Sequence, residues 1–380
     1  MSTAINKKKD NKKPSKEKKK PSNFLKELIG IMSWVTVLML WCSAGSVFIN
    51  PNLFQYLSIA GLAFPFFLAG VLVMLVVCLL LARRKIWIPL LGLAVCLLSI
   101  RSYCPVNLPW AHPKSAYKFI SYNTMGFATG TKDSAKEEGI LEYLTKSDAD
   151  FFCFQEGHCI PTKLLGEKIL PRLDKTFGYH DTLKISESIL GCCSKYPIIG
   201  KELICQDDMN GAVAFKVLLG TNDTLRIVNC HLKSMGLSDD DRKQYSKMVK
   251  HLNDSNAETH SKLLISKISK ATVIRANQAE DVARYIERHA GKNIIVCGDF
   301  NDTPISYAHH RIHSTGLTDA YSATANGIGR SFNRDAIIVR IDHLFCSDHW
   351  KPYGFHIDKT IQSSDHYPIV GYLERLEPQK

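Results

Sequence analysis

Apolar and polar positions divide the chain into three stretches of different character. Residues 1–22 are rich in lysine, with Pro14 and Pro21 and hardly an apolar side chain. Such a segment has too little apolar surface to fold on, and a disordered cytoplasmic tail is expected. Residues 28–48 and 56–82 are uncharged apolar runs. As helices, each is long enough to cross a hydrocarbon core about 30 Å thick. Residues 86–100 are shorter and contain Pro89. Extended to Tyr103 they form a third span; the alternative is a re-entrant piece. A second apolar run follows the first at once, which disfavours a cleaved signal peptide. The pattern thus predicts a transmembrane region over 23–103, a Pro-rich linker over 104–116 and a folded domain over 117–380.

From Tyr117 the pattern changes to short apolar runs alternating with amphipathic stretches, the mark of an α/β domain. Strands are predicted at YKFISYN (117–123), DADFFCFQE (148–156), Ile189–Pro197, Ala212–Leu219, LRIVNCHL (225–232), IIVCGDF (294–300), IVRIDHLFC (338–346) and PIVGYLE (368–374). Helices are predicted over Ser134–Ser147, where Ile140, Leu141 and Leu144 share a face, over Pro161–Leu173, and from Asp239 to about Ala290 with polar breaks near Asn253–Asn256.

Charge alters this picture in one respect. The formal net charge is +12, but nearly all of the excess lies in the tail and beside the apolar runs. Residues 102–380 are close to neutral, so the basic balance is no argument for nucleic-acid binding. Lys and Arg in short loops set orientation instead. The Lys-rich tail and Arg83–Lys85 belong on the cytoplasmic side and the uncharged loop 49–55 on the other, so a third span delivers the domain outside the cytoplasm. The cysteines give no zinc-type spacing. Most lie inside apolar runs, and only Cys104, Cys159 and Cys205 are loose candidates for a disulfide.

Candidate chemistry gathers at the ends of the predicted strands. Ser121–Asn123, Gln155 with Glu156, His231, Asp299 with Asn301, Asp342, and Asp365 with His366 each put polar groups just past an apolar run. Taken singly, each is weak, since Gly, Asp and Asn favour turns and a Glu after a strand is ordinarily solvated. In NIIVCGDFNDTP (293–304), Asp299 and Asn301 flank Phe300, and while the chain stays extended they face one spot beyond the strand end.

In order and spacing, these pieces resemble the endonuclease/exonuclease/phosphatase superfamily over about residues 116–376. SKYPI (194–198) and the pair Arg275 and Gln278 are also similar to family features. The resemblance implies a four-layer sandwich of two packed mixed β-sheets flanked by helices, here preceded by two or three N-terminal transmembrane helices. It implies Glu156 as a ligand of Mg²⁺ (Mn²⁺ as the alternative), with Asn123 and Asp365 supporting the metal. Asn123 and Asn301 would hold phosphoryl oxygens, Asp299 would act on the attacking water, and His366, oriented by Asp342, would serve as general base or transition-state donor. His231 matches a second histidine kept in the deoxyribonuclease and sphingomyelinase branches. Arg330 and Phe332, in GRSF, lie where relatives contact substrate. The chemistry suits these groups, since phosphate-ester hydrolysis needs oxygen ligands for a hard cation, an activated water and a stabilised leaving oxygen. The reading is a membrane-anchored, metal-dependent phosphodiesterase, with nucleic acid as the first substrate choice. A phospholipid or phosphoinositide phosphohydrolase (sphingomyelinase-like) and a non-catalytic tethered binding domain are the alternatives. No protein partner is inferable.

Overall fold

A computed structural model describes residues 22–131, 133–221, 223–236, 257–334 and 338–376. The expected tail lies outside these apart from Ser22, as does the first part of the helix expected from Asp239. Helix α1 (Asn23–Gly45) opens with Ser22 as its N-cap, the hydroxyl accepting from the Leu25 N–H. It packs against α2 (Phe64–Leu81) and α3 (Trp87–Val95), and α4 (Leu97–Tyr103) continues α3 across a 60° bend. Two of these helical stretches, Asn23–Phe48 and Ser58–Leu81, are long and apolar enough to cross a membrane, or three if the bent pair counts as one. Lys85 reaches Glu27 at 2.8 Å, tying the end of α2 to the start of α1.

The rest is the expected sandwich. One sheet has the order β11 (Trp350–Ile357), β12 (Ile369–Arg375), β1 (Tyr117–Asn123), β2 (Phe151–Gln155), β4 (Ser188–Ser194), β3 (Tyr179–Ile185). The other runs β5 (Ile198–Asp207), β6 (Asn210–Gly220), β7 (Asp223–His231), β8 (Ile294–Asp299), β10 (Asp342–Cys346), β9 (Thr318–Asp319). Both sheets are mixed: β1 with β2 and β7 with β8 are parallel, the remaining pairs antiparallel. Phe119, Phe151, Phe215, Ile227, Ile295, Leu344 and Leu373 fill the layer between the sheets. Burying each such side chain is worth about 1.5–3 kcal/mol. Helices α5 (Ser134–Lys146) and α6 (Leu170–Phe177) cover the first sheet, while α7 (Ala257–Arg288) and α8 (Tyr307–His313) cover the second. Short α9 (Ala320–Thr324) packs on β10 and β11. All twelve cysteines are free, including Cys104, Cys159 and Cys205.

The two parallel pairs end together, bringing Asn123, Gln155, His231 and Asp299 to one edge. Gly298 permits this approach. Its φ is +127°, and a Cβ there would lie 2.0 Å from the Cys230 carbonyl oxygen, so β8 sits against β7 just before Asp299 only because the side chain is absent.

The N-terminal helices also dock at this edge. The turn between α1 and α2 makes hydrogen bonds from Asn52 to Asn277 (2.9 Å), from Gln55 to Ser269 (2.9 Å) and from Asn50 to the Tyr307 hydroxyl (3.4 Å). Phe48 stands edge-on to His310. A Cβ on Gly61 would lie 2.0 Å from the Ile305 carbonyl oxygen, and Ile305 shares an apolar cluster with Val37, Leu40, Phe64 and Tyr103. At the same end of the bundle, buried Arg340 donates to the Ser102 carbonyl at 2.7 Å and to the Ile328 carbonyl at 3.1 Å.

The loop after β8 is held from behind by a buried ion pair. Arg275 on α7 donates to Asp302 at 3.0 Å and to the Lys233 carbonyl at 2.9 Å. Arg275→Met removes the cation and leaves the Asp302 carboxylate buried without it. The expected loss is about 3–5 kcal/mol of stability. In scanning fluorimetry of the full chain in detergent, the melting temperature should fall by at least about 5 °C; an unchanged melting point would show that the pair does not support the fold.

Candidate active site

The cleft is built from residues just beyond the strand ends. Asn123 closes β1 and is buried. Its amide nitrogen donates to Glu156 Oε1 and to Asp299 Oδ2, both at 3.0 Å, while its Oδ1 accepts the Met125 N–H at 3.2 Å. In this orientation Asn123 joins two carboxylates from opposite sheets and presents N–H rather than oxygen to the cleft. Glu156 is the first residue after β2 and adopts φ +52°. A left-handed backbone is uncommon for Glu, and here it turns the chain so that the carboxylate enters the cleft. Asn301, at φ +51°, makes the matching turn after β8. Its backbone N–H goes to Asp299 Oδ1 at 2.8 Å and its side-chain amide to the Leu232 carbonyl at 2.9 Å.

Two imidazoles face the carboxylates. His231 Nε2 lies 3.5 Å from Glu156 Oε1 and 3.9 Å from Asp299 Oδ2. Its Nδ1 is buried and has no hydrogen-bond partner among the described residues. His366 donates from Nδ1 to Asp342 Oδ2 at 2.8 Å, and its Nε2 lies 3.6 Å from Asp299 Oδ2. Asp342 stands directly across from Asp299 in the antiparallel β8–β10 pair, so both carboxylates address the one ring. The neighbouring His343 is turned away and contacts the Asp302 carbonyl at 2.9 Å.

Burial and charge set the titration of these groups. Burial pushes the Asp299 carboxyl up to about 6, with Asp342 adding to the rise against the opposing pull of His366. Burial alone would lower His366, but the carboxylates Asp342 and Asp299 outweigh it and raise the imidazole to about 10. Glu156 resists its own burial and is held below the usual carboxylate range by His231 and the Asn123 amide. At neutral pH the cleft therefore holds an imidazolium beside a carboxylate that takes up a proton near pH 6.

Asp299, Asp342 and His366 offer ligand atoms within 4.8 Å of one another, and Glu156 stands across the Asn123 bridge. Clustered carboxylate oxygens suit a hard divalent cation of the Mg²⁺ or Mn²⁺ type.

The other expected residues fall as follows. Asp365 forms an ion pair with Arg334 at 3.0 Å, and Arg334 also reaches the Met125 sulfur. Phe332 stands edge-on to the His366 ring, with 5.2 Å between centroids, and so forms a wall of the cleft. Arg330 donates to the Phe332 carbonyl at 2.9 Å, which folds it back onto its own loop. Gln278 accepts the Lys233 N–H at 2.8 Å and, with Arg275, fixes the chain leaving β7. SKYPI lies at the far end of the sandwich, where Ser194 pairs with Phe151 at the start of β2.

Sequence reasoning missed two contributors. Arg334 is one. Asn229 is the other: it accepts from Gln155 at 2.7 Å and donates to the Phe154 and Gly191 carbonyls, pinning the sheets together beneath the cleft. Ser331, singled out only as part of GRSF, accepts with its hydroxyl the N–H groups of Ile341 and Asp342. The only signal for Asn229 was a polar residue inside an apolar strand, and Arg334 gave none.

Comparison with known proteins supports the fold and the family. Residues 120–366 match the profile of the Endonuclease/Exonuclease/phosphatase family, and residues 26–103 match that of a domain of unknown function, DUF8431. No curated protein sequence matches the chain. Among solved structures, the human Nocturnin catalytic domain with bound sulfate is similar, with a TM-score of 0.50 and 15% identity over 71% of this chain and 96% of that one. An endonuclease/exonuclease/phosphatase family protein from Bacteroides thetaiotaomicron gives 0.46 and 16% over 69% and 98%. Staphylococcus aureus beta toxin, solved with bound magnesium ions, gives 0.44 and 14% over 68% and 99%. At these identities the likeness is one of fold. The family profile spans more than half of the chain, and the protein belongs to the endonuclease/exonuclease/phosphatase family.

Proposed function

We propose that the protein is a membrane-anchored, metal-dependent phosphoester hydrolase. The observation that carries the reading is the convergence of Glu156, Asp299, Asn123, His231 and the Asp342–His366 pair on one cleft. Glu156 is assigned as the principal metal ligand, and Asp365, which pairs with Arg334, as a supporting one. A divalent ion bound there would neutralise phosphoryl oxygens and favour ionisation of water. Asp299 takes the proton of the attacking water. The water oxygen bonds to phosphorus, and the P–O bond to the leaving alcohol breaks. His366, protonated and held by Asp342, gives its Nε2 proton to the departing oxygen. Two groups with their pKa values pushed apart divide the acid and base roles in this way. Asn301 and His231 steady the phosphoryl oxygens, Asn123 holds the two carboxylates in place, and Phe332 and Arg330 shape the substrate side.

For topology, we assign three spans. The tail and Arg83–Lys85 face the cytoplasm, and residues 104–380 lie outside it. In support, the turn between α1 and α2 touches the folded domain, while Lys85 and Glu27 meet at the opposite end of the bundle. This arrangement requires the bent pair α3–α4 to cross.

Four experiments test the reading. Glu156→Gln nearly keeps the side-chain volume and removes the charge, so melting temperature should hold within about 2 °C while Mg²⁺-dependent hydrolysis of bis(p-nitrophenyl) phosphate falls at least about 10³-fold. Full activity in EDTA, or in this variant, would exclude the metal role. For the dyad, His366→Ala and Asp342→Ala should each slow turnover by orders of magnitude, and the double variant should be scarcely slower than either, because residues acting as a unit lose their contribution together. Since the carboxylates raise the imidazole, Asp342→Asn should lower the His366 pKa from about 10 and move the alkaline limb of the rate profile to lower pH; an unmoved limb would remove His366 as the acid. Finally, alkaline phosphatase fused after Lys380 should be active and a cytoplasmic reporter silent, and the reverse pattern would show that α3–α4 does not cross.

A further inference from the structure

We infer that the site acts in cis on phosphoesters of lipids in the bilayer that holds the anchor, in the leaflet that faces the domain. This rests on the hydrolase and anchor reading above and adds the substrate class. Three segments carry site residues, and each touches the N-terminal helices within a few residues of the cleft. Ile305, four residues after Asn301, meets Gly61 and joins the apolar cluster of Val37, Leu40 and Phe64. Ile328, four residues before Phe332, packs on the same cluster. Arg340, two residues before Asp342, donates to the Ser102 carbonyl at the end of the third apolar stretch. A chain advances at most about 3.6 Å per residue, so four residues put Asn301 and Phe332 within about 14 Å of these contacts.

Gly61 lies three residues before α2, near the start of the apolar stretch Ser58–Leu81, so the contact falls at the domain-side end of that stretch. Ser269, Asn277, Tyr307 and His310, the other docking points, belong to the same end of the sandwich. Tyr196 and Trp350, which stand edge-on to Tyr117 at the start of β1, mark the far end. The sandwich is thus fastened to the bundle by its catalytic edge. Large apolar side chains are also exposed on this fringe: Val106 and Leu108 after α4, and Ile338 between Ser331 and Arg340. Such groups suit contact with the interfacial region of a bilayer. Nucleic acid fits less well, since non-specific affinity for it relies on Lys and Arg at phosphates, and residues 102–380 are nearly neutral. The reaction is the hydrolysis already described, with the ester oxygen of the lipid or of its headgroup alcohol as leaving group.

The test uses the full chain in vesicles of phosphatidylethanolamine and phosphatidylglycerol with Mg²⁺. Hydrolysis is read by mass spectrometry on lipids of the same vesicles, on protein-free acceptor vesicles, on glycerophosphodiesters and on a DNA and an RNA oligonucleotide. The expected result is cis-lipid turnover at least ten-fold above every other substrate. An activity-independent arm places p-benzoylphenylalanine at Ile338, or at Ile199 on the far end as control, and seeks phospholipid adducts after irradiation. Adducts at 338 and not at 199 are expected. Equal or absent labelling at 338, or oligonucleotides or glycerophosphodiesters cleaved as fast as cis lipid, would overturn the inference while leaving the hydrolase intact. Inactivity on every substrate, bis(p-nitrophenyl) phosphate included, would remove the hydrolase reading and this inference with it.

Discussion

Glu156 and Asp299 come from opposite sheets and share the amide of Asn123, at 3.0 Å from each. Most of the cleft follows from this joint. Two carboxylates brought together out of water repel each other and resist ionisation. The fold answers with neutral donors and with imidazoles placed close by, His231 against Glu156 and His366 against Asp299. The compensation is uneven. Glu156 stays below the ordinary carboxylate range, while Asp299, more deeply buried and facing Asp342, is raised to about 6. Two chemically similar side chains so acquire different proton affinities from their surroundings alone.

How much of this was legible in the chain can be said residue by residue. The strands that were read, such as 117–123, 225–232 and 294–300, are central, buried on both faces and written as continuous apolar runs. The four strands that were not read, β3, β5, β9 and β11, are the edges of the two sheets. They carry charged and exposed residues, as in YHDTLKI and WKPYGFHI, and are strands because a neighbour supplies hydrogen bonds. Asn123, Glu156, His231 and Asp299 were legible because each ends or follows an apolar run, whereas Asp342 opens β10 and Asp365 and His366 precede β12. Asn229 and Arg334 were not legible. The value of Asn229 depends on which strand of the other sheet lies over it, and Arg334 matters through Asp365, thirty-one residues on, in space rather than in sequence.

The docking of the N-terminal helices was also invisible to composition, for a related reason. Its contacts are backbone carbonyls at Ser102 and Ile305, a glycine at 61 and single amides at Asn52 and Gln55. None of these has a periodic signature. What the pattern of apolar runs suggested was a tether followed by a linker. The structure joins the helices to the folded domain at several points on one edge.

That attachment bears on the strained backbone of the cleft. Glu156 and Asn301 both sit in the left-handed region, at a cost of roughly 1–2 kcal/mol for a residue with a side chain. Strain of this kind persists only where the surroundings over-determine the conformation. At Glu156 the determinants are local: its carbonyl accepts the Gly126 N–H at 2.7 Å, and the next N–H goes to Ile189. At Asn301 they come from three directions. Asp299 and Leu232 hold the turn itself, Arg275 holds Asp302 from α7, and Gly61 meets Ile305 from the helical bundle. The loop that carries one half of the carboxylate joint is therefore clamped between the sandwich and the N-terminal helices. Its geometry is a property of the whole chain rather than of the sandwich alone.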